Sequence, residues 1–144
     1  MKMSGGNVYK FGCLCQAKLF EYVAKRGYDL RAFSESYMRS DFVRREIDSL
    51  WSYYQTQPPI AIVEILTLDY PEVRFEKLSR TVPHLEDFAH WMGYMYSYYH
   101  QRFGTPSADI VNSFPYEIMR GYYPAFTTMS WEAGAESMRE DATG

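Results

Sequence analysis

At 144 residues, with 47% hydrophobic and 23% charged side chains, the chain fits one globular domain that needs neither metal nor disulfide to hold a core. A formal charge of −3 gives no overall attraction to nucleic acid or an anionic membrane, and no run nears the roughly 18 apolar residues of a membrane span. Aromatic residues reach 18%, led by 14 Tyr, and Tyr suits both a half-buried core and a contact surface.

In chain order, MKMSGGN (1–7) reads as a flexible lead without the apolar stretch of a signal peptide, so the expected compartment is the cytoplasm. From Val8 to Arg26, Val8, Phe11, Cys15, Leu19, Tyr22 and Val23 recur at helical steps, and Gly27 suits the position just past the helix end. Cys13 and Cys15 lie in C-x-C spacing, roughly 200° apart on a helix, which neither pairs nor chelates them. They read as structural thiols in a reducing compartment. Asp29 can cap a short helix through Met38, and Ser40 can cap the next. That next helix turns Phe42, Ile47, Leu50, Trp51 and Tyr54 inward and ends before Pro58-Pro59.

Residues 60–70 (IAIVEILTLDY) are ambiguous: β-branched residues favour a strand, whereas a Pro-Pro start and eleven residues favour a helix. The helix is preferred. An irregular connection with a short extended piece near 71–76 follows. Leu85 to Phe103 carries the longest helical pattern, closed by Gly104. Short helices are expected from Pro106 to about Asn112 and from Pro115 to about Gly121, with YYPAF as a turn. Ser130 caps a last helix, and EDATG (140–144) reads as a frayed tail. The expected fold is all-α, about seven helices in a single domain over 8–139.

The residues ask for no enzyme, cofactor or metal. His84, His90 and His100 have no second His or Cys at ligand spacing, no Ser sits in a nucleophile elbow, and no phosphate-cradling Gly loop occurs. His90 reads as a surface hydrogen-bonding residue. Charge is uneven, with nine Lys/Arg against six Asp/Glu in 1–57 and six against twelve in 58–144. Within the basic half, residues 29–54 have the outline of a helix-turn-helix, with Arg39, Arg44 and Arg45 around the turn. Asp41, Glu46 and Asp48 interrupt its recognition face and would repel phosphate. Nucleic-acid binding there is the alternative reading.

On a wheel of about 100° per residue, 85–103 divides into three strips. Leu85, Phe88, Met92, Met95, Tyr96, Tyr99 and Phe103 form a core arc. Ala89, Gly93 and Ser97 form a small-residue flank that admits another helix closely. Trp91, Tyr94, Tyr98 and Arg102 form a third strip of the residue types most enriched at binding hot spots. Either shorter helices of the domain cover this strip or a partner protein does.

Residues 90–138 also carry a familiar run of motifs. Trp91, Gly93, Tyr94, Tyr96, Tyr98, Tyr99 and His100 form the first, Gly104 and Ser107 a turn, and Pro115 and Met119 the next helix. Tyr123, Phe126, Thr128 and Met129 complete it, while Ser130-Trp131 departs from an Asp-Pro expected there. The pattern resembles a family of small helical bacterial proteins of no assigned function. The resemblance implies an antitoxin-like or accessory role beside toxin-like proteins and assigns no catalytic residue. The expected function is therefore a protein-binding module, with Trp91, Tyr94, Tyr98 and Arg102 as its docking stripe.

Overall fold

A computed structural model describes residues 8–49, 52–80 and 82–144, and over them the chain is all-α. The helices are α1 (Lys10–Lys25), α2 (Leu30–Met38), α3 (Pro59–Asp69), α4 (Leu85–Phe103), α5 (Ser107–Ser113), α6 (Tyr116–Phe126) and α7 (Trp131–Thr143). A π-helical turn (Val43–Ile47) and a 3-10 turn (Tyr53–Thr56) lie between α2 and α3. No described helix is long and apolar enough to cross a membrane.

The centre of the fold is the crossing of α1 on α4, and small residues make it. A Cβ on Gly93 would lie 2.7 Å from the Gln16 carbonyl oxygen and 3.1 Å from Ala17 Cα, so the backbones are already in contact. Gln16 Nε2 donates to the Gly93 carbonyl at 2.9 Å, which satisfies a polar side chain buried at that contact. Around the crossing stack Phe20, Phe33, Tyr37 and Tyr96, with ring centroids 5.2–6.2 Å apart. Tyr96 is wholly buried, and its hydroxyl donates to the Phe114 carbonyl at 2.6 Å. Burial pushes its pKa up strongly, which keeps it a donor.

Local signals set several boundaries. Gly27 and Gly104 take φ of 82° and 72° just past α1 and at the end of α4, where a side chain would be strained. The Asp29 carboxylate accepts from the Arg31 and Ala32 amides, and Ser130 Oγ from the Ala133 amide. Pro59 starts α3 as a helix. The extended piece falls slightly later than expected: the Asp29 amide donates to Glu76 O and the Leu78 amide to Gly27 O, pinning 76–78 to the turn after α1.

Three elements depart from expectation. The helix expected to be capped by Ser40 and to run until just before Pro58-Pro59 begins as expected, with Ser40 Oγ accepting the Val43 amide at 3.2 Å, but it does not continue. It widens into the π turn, where the Asp48 amide donates to Val43 O at 2.8 Å, and stops there. The Asp48 carboxylate is drawn to another helix, accepting the Ser107 hydroxyl at 2.6 Å and the Ser107 amide at 2.9 Å at the start of α5. Leu50 and Trp51, expected to face inward, lie outside the described residues. Next, YYPAF is the last part of α6 and not a turn. Pro124 costs one backbone bond near the helix end, while buried Met119 and Phe126, two turns apart, anchor the helix to the core. Finally, α7 runs to Thr143, so residues 140–143 are helical, with the Gly144 amide donating to Glu140 O.

Candidate functional site

The stripe on α4 was the sequence-based candidate, and the structure lays two short helices against it. Trp91 is only 6% exposed, enclosed by Phe88, Tyr123 and Phe126 with ring centroids 6.1, 5.4 and 6.4 Å away. It is a core residue, because α6 brings two aromatics over it. Tyr94 is half-buried under Trp131 of α7, stacked at 4.1 Å with 21° between planes. Arg102 donates from Nη2 and Nε to one Glu136 oxygen at 2.6 and 3.2 Å and stands 3.4 Å from Glu132. Its side chain is 17% exposed. Tyr98 is half-buried, and desolvation raises its pKa against the lowering effect of Arg102. The four residues are brought together largely as the seat of α6 and α7.

The basic cluster around 39–45 is mostly engaged with its own chain. Arg39 Nε donates to Asn112 Oδ1 at 3.0 Å, and Arg44 pairs with Asp41 at 2.7 Å. That hydrogen bond and charge lower the Asp41 pKa and raise that of Arg44. Arg45 is exposed. Since the segment after Ser40 is a π turn ending at Asp48, the described residues form no second helix of recognition length.

His90 Nδ1 meets Glu21 Oε1 at 2.9 Å on the flank of α1. His100 lies on another part of α4, Nδ1 facing the Thr105 carbonyl at 2.6 Å and Nε2 the Asp48 carbonyl at 3.2 Å. Asp48, His100 and Ser107 thus meet, but in an order unlike a hydrolase triad. The Ser107 hydroxyl bonds to the carboxylate and not to the imidazole, and it is buried. The cluster splices the π turn to the junction of α4 and α5. No group of three or more metal-ligating His, Cys, Asp or Glu occurs among the described residues.

The largest apolar exposure lies elsewhere. Phe11 on α1 is 71% exposed, and Ile60 and Leu68 on α3 are 58% and 76% exposed. On α1 the core takes the face of Gly12, Cys13, Gln16, Ala17 and Phe20, which leaves Phe11, Leu14 and Lys18 outward. Phe11 belongs to the apolar set that recurs at helical steps along α1, but it does not share the burial of Leu19 and Val23. Only Ile62 and Leu66 of α3 are fully buried, so Ile60, Glu64 and Leu68, spaced i, i+4, i+8, line its outer face. Between α1 and the segment leading into α3 runs an open groove of about 340 Å³, walled by Phe11, Leu14, Cys15 and Lys18 on one side and by residues 55–59 on the other. One signal in the sequence pointed here: IAIVEILTL is apolar all round, which a helix with one covered face does not need. The chain matches no protein-family model, no curated protein and no solved structure.

Proposed function

We propose that the chain is a non-enzymatic protein-binding module, and that its contact surface is the outer face of α1 and α3. The observation that supports this reading is the exposure of large apolar side chains on both helices: Phe11 on the wall of the groove, and Ile60 and Leu68 on the outer line of α3, each more than half exposed. Ile60 and Leu68 fall on one line of α3, two turns apart, and exposed apolar side chains set in line are what a partner would cover. A narrower role as an antitoxin-like or regulatory partner draws its support from the resemblance of residues 90–138. The contribution of Tyr94, Tyr98 and Arg102 is then to hold α7 in place, with Trp91 under α6.

A photoreactive residue at position 60 or 68, introduced in cells of the native host, tests the proposal. A discrete crosslinked protein, identified by mass spectrometry and missing when the probe stands at exposed Arg120, is the expected result. No crosslink at either position overturns it.

A further inference from the structure

We infer that His100 is a proton-dependent latch: with a hydrogen on both ring nitrogens it fastens the π turn to the junction of α4 and α5, and loss of one hydrogen loosens that join. The observation behind it is what the two nitrogens face. Nδ1 stands 2.6 Å from the Thr105 carbonyl oxygen and Nε2 3.2 Å from the Asp48 carbonyl oxygen. A carbonyl oxygen only accepts, and a neutral imidazole has a single N–H to give. The imidazolium alone donates to both carbonyls at once. The Asp48 carboxylate favours the same form, with its Oδ1 3.7 Å from Nε2 and each side chain only 15% exposed.

The surroundings keep that carboxylate an anion and bring no competing cation to the ring. Asp48 accepts the hydroxyl and the amide of Ser107, two donors that suit the charged form. Among the described residues it is the only carboxylate within 4.0 Å of the His100 nitrogens. On the π turn, Arg44 pairs with Asp41, Glu46 accepts from Ser52, and Arg45 is exposed. On α4, Arg102 is turned to Glu132 and Glu136 of α7. Asp109 of α5 and Lys10 of α1 are exposed. When one hydrogen leaves, Nδ1 keeps its own on the nearer Thr105 oxygen. The bare lone pair of Nε2 then faces the carbonyl and the carboxylate of Asp48, and the π turn loses its hydrogen bond to α4. A π turn is an irregular element often found where a helix has to move.

Nitrogen-15 NMR of the full chain decides the matter. At about pH 6 both His100 ring nitrogens should carry a hydrogen, and on raising the pH to about 8.5 Nε2 should lose its hydrogen while Nδ1 keeps it. Amide exchange across 43–48 and 107–110, corrected for its intrinsic rise with pH, should quicken at least about tenfold over the same range. His100→Gln titrates nothing and should exchange quickly at both ends of the range, whereas His90→Gln should keep the wild-type response. Asp48→Asn should release the hydrogen at a lower pH than the wild type. An Nε2 without a hydrogen at pH about 6 overturns the inference, as does protection in the wild type that is indifferent to pH. A pH response that survives in His100→Gln overturns it too. Should that variant fail to fold, the ring nitrogens and the exchange of the wild type decide alone.

Discussion

A methyl group on Gly93 would stand 2.7 Å from the Gln16 carbonyl oxygen and 2.9 Å from Phe20 Cγ, and backbone and ring cannot both give way. Gly121, on the exposed side of α6, has nothing within 4 Å of the same position. Alanine at the two sites should therefore act with opposite sign. Gly93→Ala gains helix propensity of about 1 kcal/mol but forces α1 and α4 apart, for a net loss of about 1–2 kcal/mol. Gly121→Ala meets no obstacle and should gain about 0.5–1 kcal/mol. Urea unfolding of both variants beside the wild type gives the comparison. The two thiols offer a second test at this scale. Burial pushes Cys13 and Cys15 from the usual value near 9 to about 11. Between those values the folded chain holds protons that the unfolded chain has released. The thiol contribution is thus complete below about pH 9 and declines as pH rises toward 11. Urea midpoints from pH 8 to pH 11 should show that decline, and it should shrink in Cys13→Ala. At pH 8 both thiols should react with a disulfide reagent more slowly than free cysteine, Cys15 ahead of Cys13 because it borders the groove.

Among the helices, α7 depends most on a few side chains. Its buried contacts are Gly134, Ala135 and Met138, small for a helix of thirteen residues. The stack of Trp131 on Tyr94 and the grip of Arg102 on Glu136 make up the remainder. Trp131→Ala should destabilise the chain by about 2 kcal/mol, since a half-buried ring and its stacking partner are both affected. The loss should be local at first. Amide hydrogen exchange is expected to quicken across 131–143 while the amides of α1 and α4 at their crossing keep their protection. Uniform quickening over the whole chain would mean that α7 opens only with the core. The Asp48–Ser107 bonds show the reverse situation, a side chain from one irregular turn fixing the start of a helix far along the sequence.

At the scale of the molecule, what was legible in the sequence follows from the range of the forces involved. Asp29, Gly104 and Ser130 act on backbone groups within a few residues, so the bounds of α2, the end of α4 and the start of α7 could be read directly, whereas 60–70 stayed open between strand and helix, its β-branched residues set against its Pro-Pro start. The flank of Ala89, Gly93 and Ser97 was legible too, because a small residue in mid-helix needs a close neighbour. The early stop at Asp48 was not, and the side chain at that stop is bonded to Ser107, 59 positions away, which no local pattern can show. The wheel of α4 separated Trp91 from the core arc correctly as an angle and wrongly as an environment. A wheel knows one helix, and Trp91 is buried by Tyr123 and Phe126 of another. For the same reason the outward face of Phe11 was hidden: α4 packs on the side of α1 that carries Gln16, Ala17 and Phe20, and only the second helix decides which side that is.

The bond from Gln16 to Gly93 spans 77 positions, and this has a consequence for how the chain is made. During synthesis α1 leaves the ribosome first, yet the helix that covers its inner face is translated much later. At ordinary elongation rates the delay is roughly 4–15 s, long compared with helix formation or collapse. For that interval Phe20 and its apolar neighbours on α1 have only α2 and α3 to rest on. The nascent chain therefore presents a sticky intermediate by design of its connectivity, and early engagement by a holdase such as a ribosome-associated chaperone would improve its yield.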